Sequence, residues 1–325
     1  MEKKHYGAID GLRMIAAFGI VMMHMATNNH YQLSGFVYDK IIPSFTNFTF
    51  LFMVISAFGM CCGYYTKVLN NQITWSDFYG KRFKKILPFF GLLVLLDVAM
   101  SHSLGSVYEG FADLTLLFGF LPADSISVIG VGWFLGLVFV FYLIFPFFCV
   151  LIENKRRAWV MFGISLIYHF ICQNYFDVGR TNILYSACFF LAGGLIYLYK
   201  EQIACFNKWL VLGFVWLSII LYYIIGGNSM MCLLVSSVLL VYAILCGGGL
   251  LQNKVTKFFS GISMEIYLSH MFIFRIIEKL KFNTLLGYGW IQYISPVVVV
   301  IIGASVFAIV MKHIFNYISN KLANI

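Results

Sequence analysis

No charged residue interrupts the stretch at 132–152, which reads GWFLGLVFVFYLIFPFFCVLI. A helix that crosses the ~30 Å hydrocarbon core of a membrane needs about 20 mostly apolar residues, and this stretch meets that requirement. Three basic residues, Lys155, Arg156 and Arg157, follow it closely. Because short cytoplasmic loops are rich in Lys and Arg, the stretch predicts a transmembrane helix that ends at the cytoplasmic surface.

Similar apolar runs recur along the whole chain. Ten can be drawn, and each predicts one span: 8–26, 44–65, 86–104, 132–152, 158–175, 182–199, 209–226, 229–247, 258–277 and 291–312. A further piece at 111–121, FADLTLLFGFL, is too short to cross and predicts an interfacial or re-entrant helix. With a cytoplasmic N-terminus, ten spans return the C-terminus to the cytoplasm.

The basic residues test this arrangement. Of the 22 Lys and Arg residues, four fall in the segments predicted outside: Lys40, Arg180, Lys279 and Lys281. Only Arg13 and Arg275 fall within spans. The remaining sixteen lie in segments predicted to be cytoplasmic: Lys3, Lys4, Lys67, Lys81, Arg82, Lys84, Lys85, Lys155, Arg156, Arg157, Lys200, Lys208, Lys254, Lys257, Lys312 and Lys321. This bias agrees with the rule that positive charge stays inside.

The composition excludes a water-soluble globule. The chain has 325 residues, 61% of them hydrophobic and 11% charged, whereas a soluble domain carries roughly 25% charged residues. The net charge of +9 does not indicate a nucleic-acid partner, because the basic residues flank apolar runs. We therefore predict an all-α, polytopic transmembrane bundle in the lipid bilayer, one membrane-embedded domain over 1–325 without a soluble extracytoplasmic domain.

Neither a metal site nor a cleaved leader is expected. The eight cysteines form no CxxC pair and no His/Cys cluster at zinc spacing, so they predict small buried apolar residues. Asp10 and Arg13 interrupt the start of the first span, and no small-x-small cleavage site follows His24. The first span is therefore predicted to remain as a helix rather than to be removed as a signal peptide.

Ionisable side chains inside lipid cost roughly 2.5 to 3.5 kcal/mol each on insertion scales, which makes them candidates for function. Three of these residues, Asp97, His102 and His169, have no evident partner in sequence and predict packing or pore lining. The predicted spans contain nine such residues: Asp10, Arg13, His24, Asp97, His102, His169, Glu265, His270 and Arg275.

Arg13 and His24 lie on the same helix. Their separation of eleven residues corresponds to about three turns and roughly 16 Å of rise, so both side chains are predicted to face one groove. Arg13 either forms a local ion pair with Asp10, three residues earlier, or holds an anionic cytoplasmic substrate. His24 is either a titratable base in that groove or an interfacial side chain that reaches outward.

Two further stretches carry polar groups. The run SMEIYLSH at 263–270 is unlike a lipid-facing surface, so Glu265 and His270 are predicted to face the bundle interior or a water-filled cavity. A structural hydrogen bond remains an equal reading for His270. The basic, amphipathic stretch at 77–88 contains Lys81, Arg82, Lys84 and Lys85, and it predicts attraction to anionic lipid, a landing surface for a polyanionic cofactor, or both.

With these residues the chain resembles the acyltransferase 3 family, a group of multi-span bacterial membrane proteins that O-acylate cell-surface carbohydrates. The opening IDGLR at 9–13, followed by ten residues and then His24, looks like the span-one signature of that family. The stretch FMVISAF at 52–58 is similar to its span-two stretch, but Ala57 stands where glycine is usual. Further similar stretches follow in the family's order: KRFKKILP at 81–88, GWFL at 132–135 leading to Tyr142 and Pro146, FLAG at 190–193, and 263–270.

The resemblance implies a transferase that uses acyl-CoA, with acetyl-CoA favoured, as co-substrate. It implies that His24 is catalytic, that Arg13 serves the acyl-CoA donor, and that Lys81, Arg82, Lys84 and Lys85 form part of the donor entrance. We expect Asp10 to orient Arg13. Glu265, His270 and Trp133 are expected to line the substrate side.

The implied reaction bridges two sides of a bacterial cytoplasmic membrane, because acyl-CoA is cytoplasmic and the carbohydrate acceptor is usually presented outside. His24 either removes a proton from the acceptor hydroxyl or takes the acyl group itself. The transfer is completed within the bundle, or the acyl group passes to a partner in polysaccharide synthesis or export. Three alternatives remain: a transporter of a small solute, a sensor or assembly module without chemistry, and an enzyme with a soluble cytoplasmic acceptor.

Overall fold

A computed structural model describes residues 6–101, 103–120 and 129–323 of the chain. Within these ranges every regular element is a helix and no strand occurs. Three residues considered above, Lys3, Lys4 and His102, lie outside the described residues, as does the last residue of the piece at 111–121. An all-α fold is therefore confirmed for the described chain.

Twelve helices of seven or more residues make up most of the described structure, and short helical turns connect several of them. They are α1 Ala8–Thr27, α2 Phe48–Leu69, α3 Trp75–Ser101, α4 Leu104–Thr115, α5 Trp133–Glu153, α6 Lys155–Asn174, α7 Ile183–Leu198, α8 Lys208–Ile225, α9 Ser229–Leu245, α10 Lys254–Ser260, α11 Ser263–Lys279 and α12 Trp290–Ala323.

Each of the ten predicted spans falls on a helix of this set or on the pair α10 and α11. By length and apolarity, five helical segments of the described chain can cross a membrane: Ala8–Thr27, Val37–Leu69, Gly130–Glu153, Lys208–Ile225 and Trp290–Lys321. A sixth arises if α9 and the segment Gly249–Ser260, bent by 101° relative to each other, count as one broken span. The membrane bundle is thus supported, while ten spans with both termini cytoplasmic stay a prediction.

The predicted span at 258–277 is not one continuous helix. Helix α10 ends at Ser260 and α11 begins at Ser263. Backbone carbonyls freed by such a break need new donors in a membrane. Lys312 Nζ donates to the Gly261 carbonyl at 2.6 Å, and Ser263 Oγ donates to the Ser260 carbonyl at 3.0 Å. The break is therefore stabilised by Lys312 on α12, a partner that a local hydropathy pattern does not reveal.

Helix α1 lies at the centre of the bundle, packed against α2, α9, α10, α11 and α12. Its apolar and small residues are buried, among them Ala16, Ala17 and Ile20. A Cβ at Gly11 would collide with the Leu251 backbone, so glycine permits this close approach. The central position of α1 means that its few polar side chains face protein rather than lipid.

Helices α2 and α7 also approach closely, at the position where alanine replaces the glycine usual in the resembled family. Ala57 on α2 is fully buried. It faces Gly193 on α7, where an added Cβ would come within 2.9 Å of the Ala57 Cβ and closer still to the Val54 carbonyl. The glycine at 193 therefore leaves room for the extra methyl group, and this departure from the family's pattern is accommodated by packing.

Candidate active site

Two cavities lie toward opposite ends of α1. The first, here called the Arg13 cavity, has a volume of about 640 Å³ and is bordered by residues of α1, α2, α3, α5, α11 and α12. The second, here called the His24 cavity, has a volume of about 330 Å³ and is bordered by α1, α2, α3, α5, α11 and the loop that contains Arg180. Both volumes fall in the usual range for small-molecule sites.

The Arg13 cavity is strongly cationic. Its lining includes a single carboxylate among the described residues, that of Glu265. The Lys312 ammonium lies 2.8 Å from the Glu265 carboxylate, so this acid is already paired. Five cations border the cavity: Arg13, Arg82, Lys84, Lys85 and Lys312. The surplus of positive charge suits an anionic ligand.

Arg13 reaches the cavity from the first half of α1. Its Nη1 donates to Asp10 Oδ1 at 3.5 Å, which confirms the predicted pair on one helix face. Ser260 Oγ also donates to Asp10 Oδ1, at 2.7 Å. On the other side, an added Cβ at Gly59 would lie 3.2 Å from Arg13 Nη2, so glycine there leaves room for the guanidinium. Arg13 thus contacts Asp10, which Ser260 contacts in turn, and the orienting role expected of Asp10 stays a prediction.

Arg82 enters the same cavity from α3. Its guanidinium lies over the Tyr64 ring, 4.7 Å from the ring centroid, and its Nη2 donates to Tyr64 Oη. A second ring, that of Tyr142, has its centroid 5.7 Å away. Cation–π contacts of this kind hold a guanidinium in place without neutralising its charge.

The four predicted donor-entrance cations do not all reach the cavity. Arg82, Lys84 and Lys85 border it, but Lys81 is exposed and lies outside its lining. The structure therefore separates Lys81 from the other three.

His24 borders the second cavity from the last turn of α1, with Trp133 from the start of α5. An ion pair lies in the same lining, between Arg275 Nη1 and Asp97 Oδ1 at 2.8 Å. Arg180 completes the charged groups. Asp97 and Arg275 come from helices α3 and α11, which sequence alone did not bring together. The expectation of pore lining fits Asp97, and the substrate-side role expected of Trp133 stays a prediction.

His270 is fully buried behind His24. The centroids of the two imidazole rings are 5.0 Å apart. His270 Nδ1 lies 2.7 Å from the Tyr267 carbonyl oxygen, and because a carbonyl only accepts, Nδ1 carries the proton. Its Nε2 is buried without a hydrogen-bond partner in the described structure. His270 borders neither cavity, so it contacts His24 rather than serving as lining.

Glu265 lies on the Arg13 side, in the first turn of α11, and not in the His24 cavity. Glu265 was expected on the acceptor side, but it borders the Arg13 cavity because α11 extends from that cavity to the His24 cavity. Residues two turns apart on this helix, such as Met264 and Met271, consequently border different cavities.

A thin partition separates the two cavities. Tyr267 and Leu268 on α11 border both of them. Tyr267 Oη donates to the Val131 carbonyl at 2.6 Å, and its ring contacts those of Phe52 and Phe134. The single groove predicted to hold Arg13 and His24 is therefore two spaces, divided by a tyrosine that the helical spacing of α1 could not reveal.

The helix ends that border each cavity are those expected if successive spans cross the membrane in alternating directions. His24, Asp97 and Arg275 lie toward the C-terminal ends of α1, α3 and α11. Thr49 and Trp133 lie at the N-terminal ends of α2 and α5 and border the same cavity. Antiparallel neighbours bring these ends together. Arg13, Arg82 and Lys312 gather at the opposite ends.

Two other predicted features have structural roles. His169 is buried, with Nδ1 2.8 Å from the Tyr185 carbonyl and Nε2 2.6 Å from Ser229 Oγ, so it joins α6, α7 and α9. All eight cysteines are free, and of these only Cys205 is exposed. In the described part of the chain, no group of three or more His, Cys, Asp or Glu side chains could hold a metal ion.

Sequence reasoning missed Arg180 and Lys312 as site residues. Arg180 lies in the loop between α6 and α7, and its sequence context is typical of an ordinary cation in an outer loop. Lys312 lies near the end of the last predicted span and reads as a flanking charge. Each reaches its cavity only through the packing of helices that are distant in sequence.

The chain matches the model of the acyltransferase 3 family, whose description is an acyltransferase domain, over residues 6–312. No curated protein and no solved structure matches it significantly. The match includes α1 with Arg13 and His24, the whole lining of the His24 cavity, and the lining of the Arg13 cavity except Phe315 and Asn316. The chain therefore belongs to the acyltransferase 3 family and is an acyltransferase built as an apolar helix bundle.

Proposed function

We propose that this enzyme moves an acyl group, most simply acetyl, from cytoplasmic acyl-CoA to a hydroxyl of a cell-surface or exported polysaccharide or its lipid-linked precursor. The observation that carries the proposal is the juxtaposition of a cationic cavity and a histidine-containing cavity across Tyr267 and Leu268. A polyanionic donor fits the first space. A base for hydroxyl activation stands in the second.

The Arg13 cavity has the chemistry that CoA requires. CoA carries a diphosphate and a separate ribose phosphate, and guanidinium and ammonium groups bind such phosphates by charge-assisted hydrogen bonds. The first turn of α11 also borders this cavity, with Ser263, Met264 and Glu265. A helix N-terminus favours negative charge, so α11 adds to the attraction from the side chains.

His24 supplies the group that transfers a proton. In both routes the thioester arm of the donor extends from the Arg13 cavity past Tyr267 to His24. In the direct route, the acceptor oxygen attacks the thioester carbonyl carbon while His24 takes the hydroxyl proton; the C–O bond forms, the C–S bond breaks, and the proton passes to the CoA sulfur. In the covalent route, a His24 nitrogen attacks the thioester carbonyl carbon, the C–S bond breaks, and the imidazole proton passes to the CoA sulfur. The acceptor oxygen then attacks the acyl carbon, the C–N bond breaks, and the hydroxyl proton returns to the imidazole. Asp10 keeps Arg13 in place in either route.

The proposed location is a bacterial cytoplasmic membrane, with the chain passing through it several times. The Lys- and Arg-rich ends gather around the Arg13 cavity, which supports a donor site on the cytoplasmic side under the positive-inside rule. The His24 cavity would then open toward the side on which surface carbohydrate is presented. A partner in polysaccharide synthesis or export would deliver or remove the acceptor.

The proposal is tested with purified protein in lipid nanodiscs and acetyl-CoA labelled in its acetyl group. Surface glycan from a deletion strain serves as the acceptor, and mass spectrometry of the same strain reports the acetyl mass that it has lost. We expect label in glycan only with intact protein. Solute accumulation in proteoliposomes without any labelled glycan would support the transporter instead.

Lys85 borders the Arg13 cavity and Lys81 does not, so substitutions of these two lysines form a matched pair that tests the donor site. Lys85→Gln should raise the KM for acetyl-CoA about fivefold, because one interfacial charge contributes about 1 kcal/mol. Lys81→Gln removes the same charge from the same helix but outside the cavity, and should change that KM less than twofold. The check is initial rate against acetyl-CoA concentration. Equal effects of the two substitutions would contradict the placement of the donor in this cavity.

The partition gives a second prediction. Tyr267→Ala should join the cavities and let water reach the thioester, so thiol release from acetyl-CoA without acceptor should rise severalfold over wild type. Tyr267→Phe keeps the ring and loses only the hydrogen bond to Val131, so it should stay near the wild-type level. Thiol release is followed with a colorimetric thiol reagent. The same release from all three proteins would show that Tyr267 does not separate donor from acceptor space.

A further inference from the structure

Arg180 is held in the His24 cavity by three different contacts. Its Nη1 donates to Thr46 Oγ1 at 2.9 Å, and Ser186 Oγ donates to its backbone carbonyl at 2.9 Å. The guanidinium carbon lies 5.2 Å from the centroid of the Trp133 ring. The loop between α6 and α7 thus presents a fixed, stacked guanidinium rather than a mobile surface charge.

This cation lacks a neutralising partner. Asp97 is the single acid among the described residues that line the cavity, and Arg275 already binds it at 2.8 Å. The structure shows no ion pair for Arg180 among the described residues. Burial lowers the pKa of Arg180, with nearby tyrosine and cysteine side chains rather than a carboxylate as its electrostatic neighbours. A half-buried positive charge of this kind is stabilised when an anion enters.

The geometry suits a particular class of anion. A guanidinium has five N–H donors in a planar fork that matches carboxylate and phosphate oxygens, and the described structure uses one of them on Thr46. Asn28, Thr46 and Thr49 border the same cavity, and so does Trp133, over whose ring the guanidinium lies. His24 lies in this cavity as well, so an anion bound here would place the hydroxyls of its own sugar near the imidazole.

We propose that the His24 cavity is selective for a charged acceptor: a sugar that bears a carboxylate or phosphate close to the hydroxyl that is acylated, with Arg180 binding that anionic group. The inference rests on the proposed function and narrows its acceptor from carbohydrate in general to acidic carbohydrate. Arg180 is then a specificity-determining residue on the acceptor side, while Arg13 serves the donor.

The test uses the full-length protein in nanodiscs, acetyl-labelled acetyl-CoA, and glycan from a deletion strain, separated by anion exchange into neutral and acidic fractions. We expect label in the acidic fraction. Portions of that fraction are reduced at their carboxyl groups or dephosphorylated before the assay. Loss of labelling after carboxyl reduction identifies a carboxylate as the anionic group, and loss after dephosphorylation identifies a phosphate.

Variants then assign the effect to Arg180. Arg180→Gln should raise the KM for the acidic fraction about tenfold to a hundredfold, the usual range for a lost charge-assisted hydrogen bond, without changing the KM for acetyl-CoA. Arg180→Lys should recover part of the loss. Lys40→Gln removes an exposed cation on the same predicted side, outside the cavity, and should leave both constants unchanged.

The outcomes separate the two proposals. Label in the neutral fraction alone, or an Arg180→Gln protein with an unchanged acceptor KM, overturns the acidic acceptor and leaves the acyl transfer standing. A fall in kcat with unchanged KM values also overturns it, because Arg180 would then stabilise the reacting thioester instead of the acceptor. Absence of label in every fraction overturns the transfer itself.

Discussion

His24→Ala should lower acetyl transfer by about a thousandfold while leaving expression and membrane insertion intact. General acid–base catalysis by a positioned side chain contributes 10²- to 10⁴-fold, and a covalent histidine would contribute more because its removal closes the route entirely. The substitution should be tolerated structurally, since His24 is half-buried and borders a cavity instead of filling a packed core. Its loss enlarges a space that is already open.

The measurement is single-turnover transfer of labelled acetyl by purified protein, with melting temperature as the check on folding. His313→Ala is the matched control, because His313 is exposed on α12 and bonds only to the Ile309 carbonyl of its own helix. Rapid denaturation at neutral pH without acceptor distinguishes the routes: label retained on wild type but not on His24→Ala supports the acyl-histidine. A wild-type rate from folded His24→Ala would remove His24 from the mechanism.

The helices were the most predictable part of this molecule. Apolar runs such as 132–152 are governed by local physics, since each run must satisfy its own backbone in lipid whatever its neighbours are. The same reasoning singled out Arg13 and His24, because a charge or an imidazole inside such a run is costly. Their separation along α1 was likewise a property of one helix.

The features of the site that could not be predicted depend on contacts between elements that lie far apart in the sequence. Lys312 meets both Glu265 and the Gly261 carbonyl, and only the packing of α12 against α11 brings them together. Arg180 sits in a loop whose sequence gives no sign of a cavity. The partition at Tyr267 arises because α11 crosses from one cavity to the other. Local patterns therefore singled out Arg13 and His24 but not the other residues that border their cavities.

Arg13→Gln should raise the KM for acetyl-CoA about tenfold to a hundredfold, with a smaller effect on kcat. Arg13 is one of five cations around the cavity, and the buried Asp10 holds one side of its guanidinium, which leaves its remaining N–H groups for a phosphate. Its loss removes charge-assisted hydrogen bonds to the donor, each worth about 1.5 to 3 kcal/mol. Arg13→Lys keeps the positive charge but loses the planar guanidinium. Its KM for acetyl-CoA should therefore lie between those of wild type and Arg13→Gln.

Two further variants distinguish a loss of donor binding from a loss of stability. Arg13→Gln leaves the buried carboxylate of Asp10 with Ser260 as a remaining donor, and breaking a buried pair is itself destabilising. The double variant Asp10→Asn with Arg13→Gln removes both charges, so it should recover stability while the donor KM stays high. Lys257→Gln, exposed on α10 and outside the cavity, is the control for general surface charge. If the double variant regained the wild-type KM, Arg13 would act only through the fold, and the donor phosphates would have to bind Arg82, Lys84 and Lys85 without it.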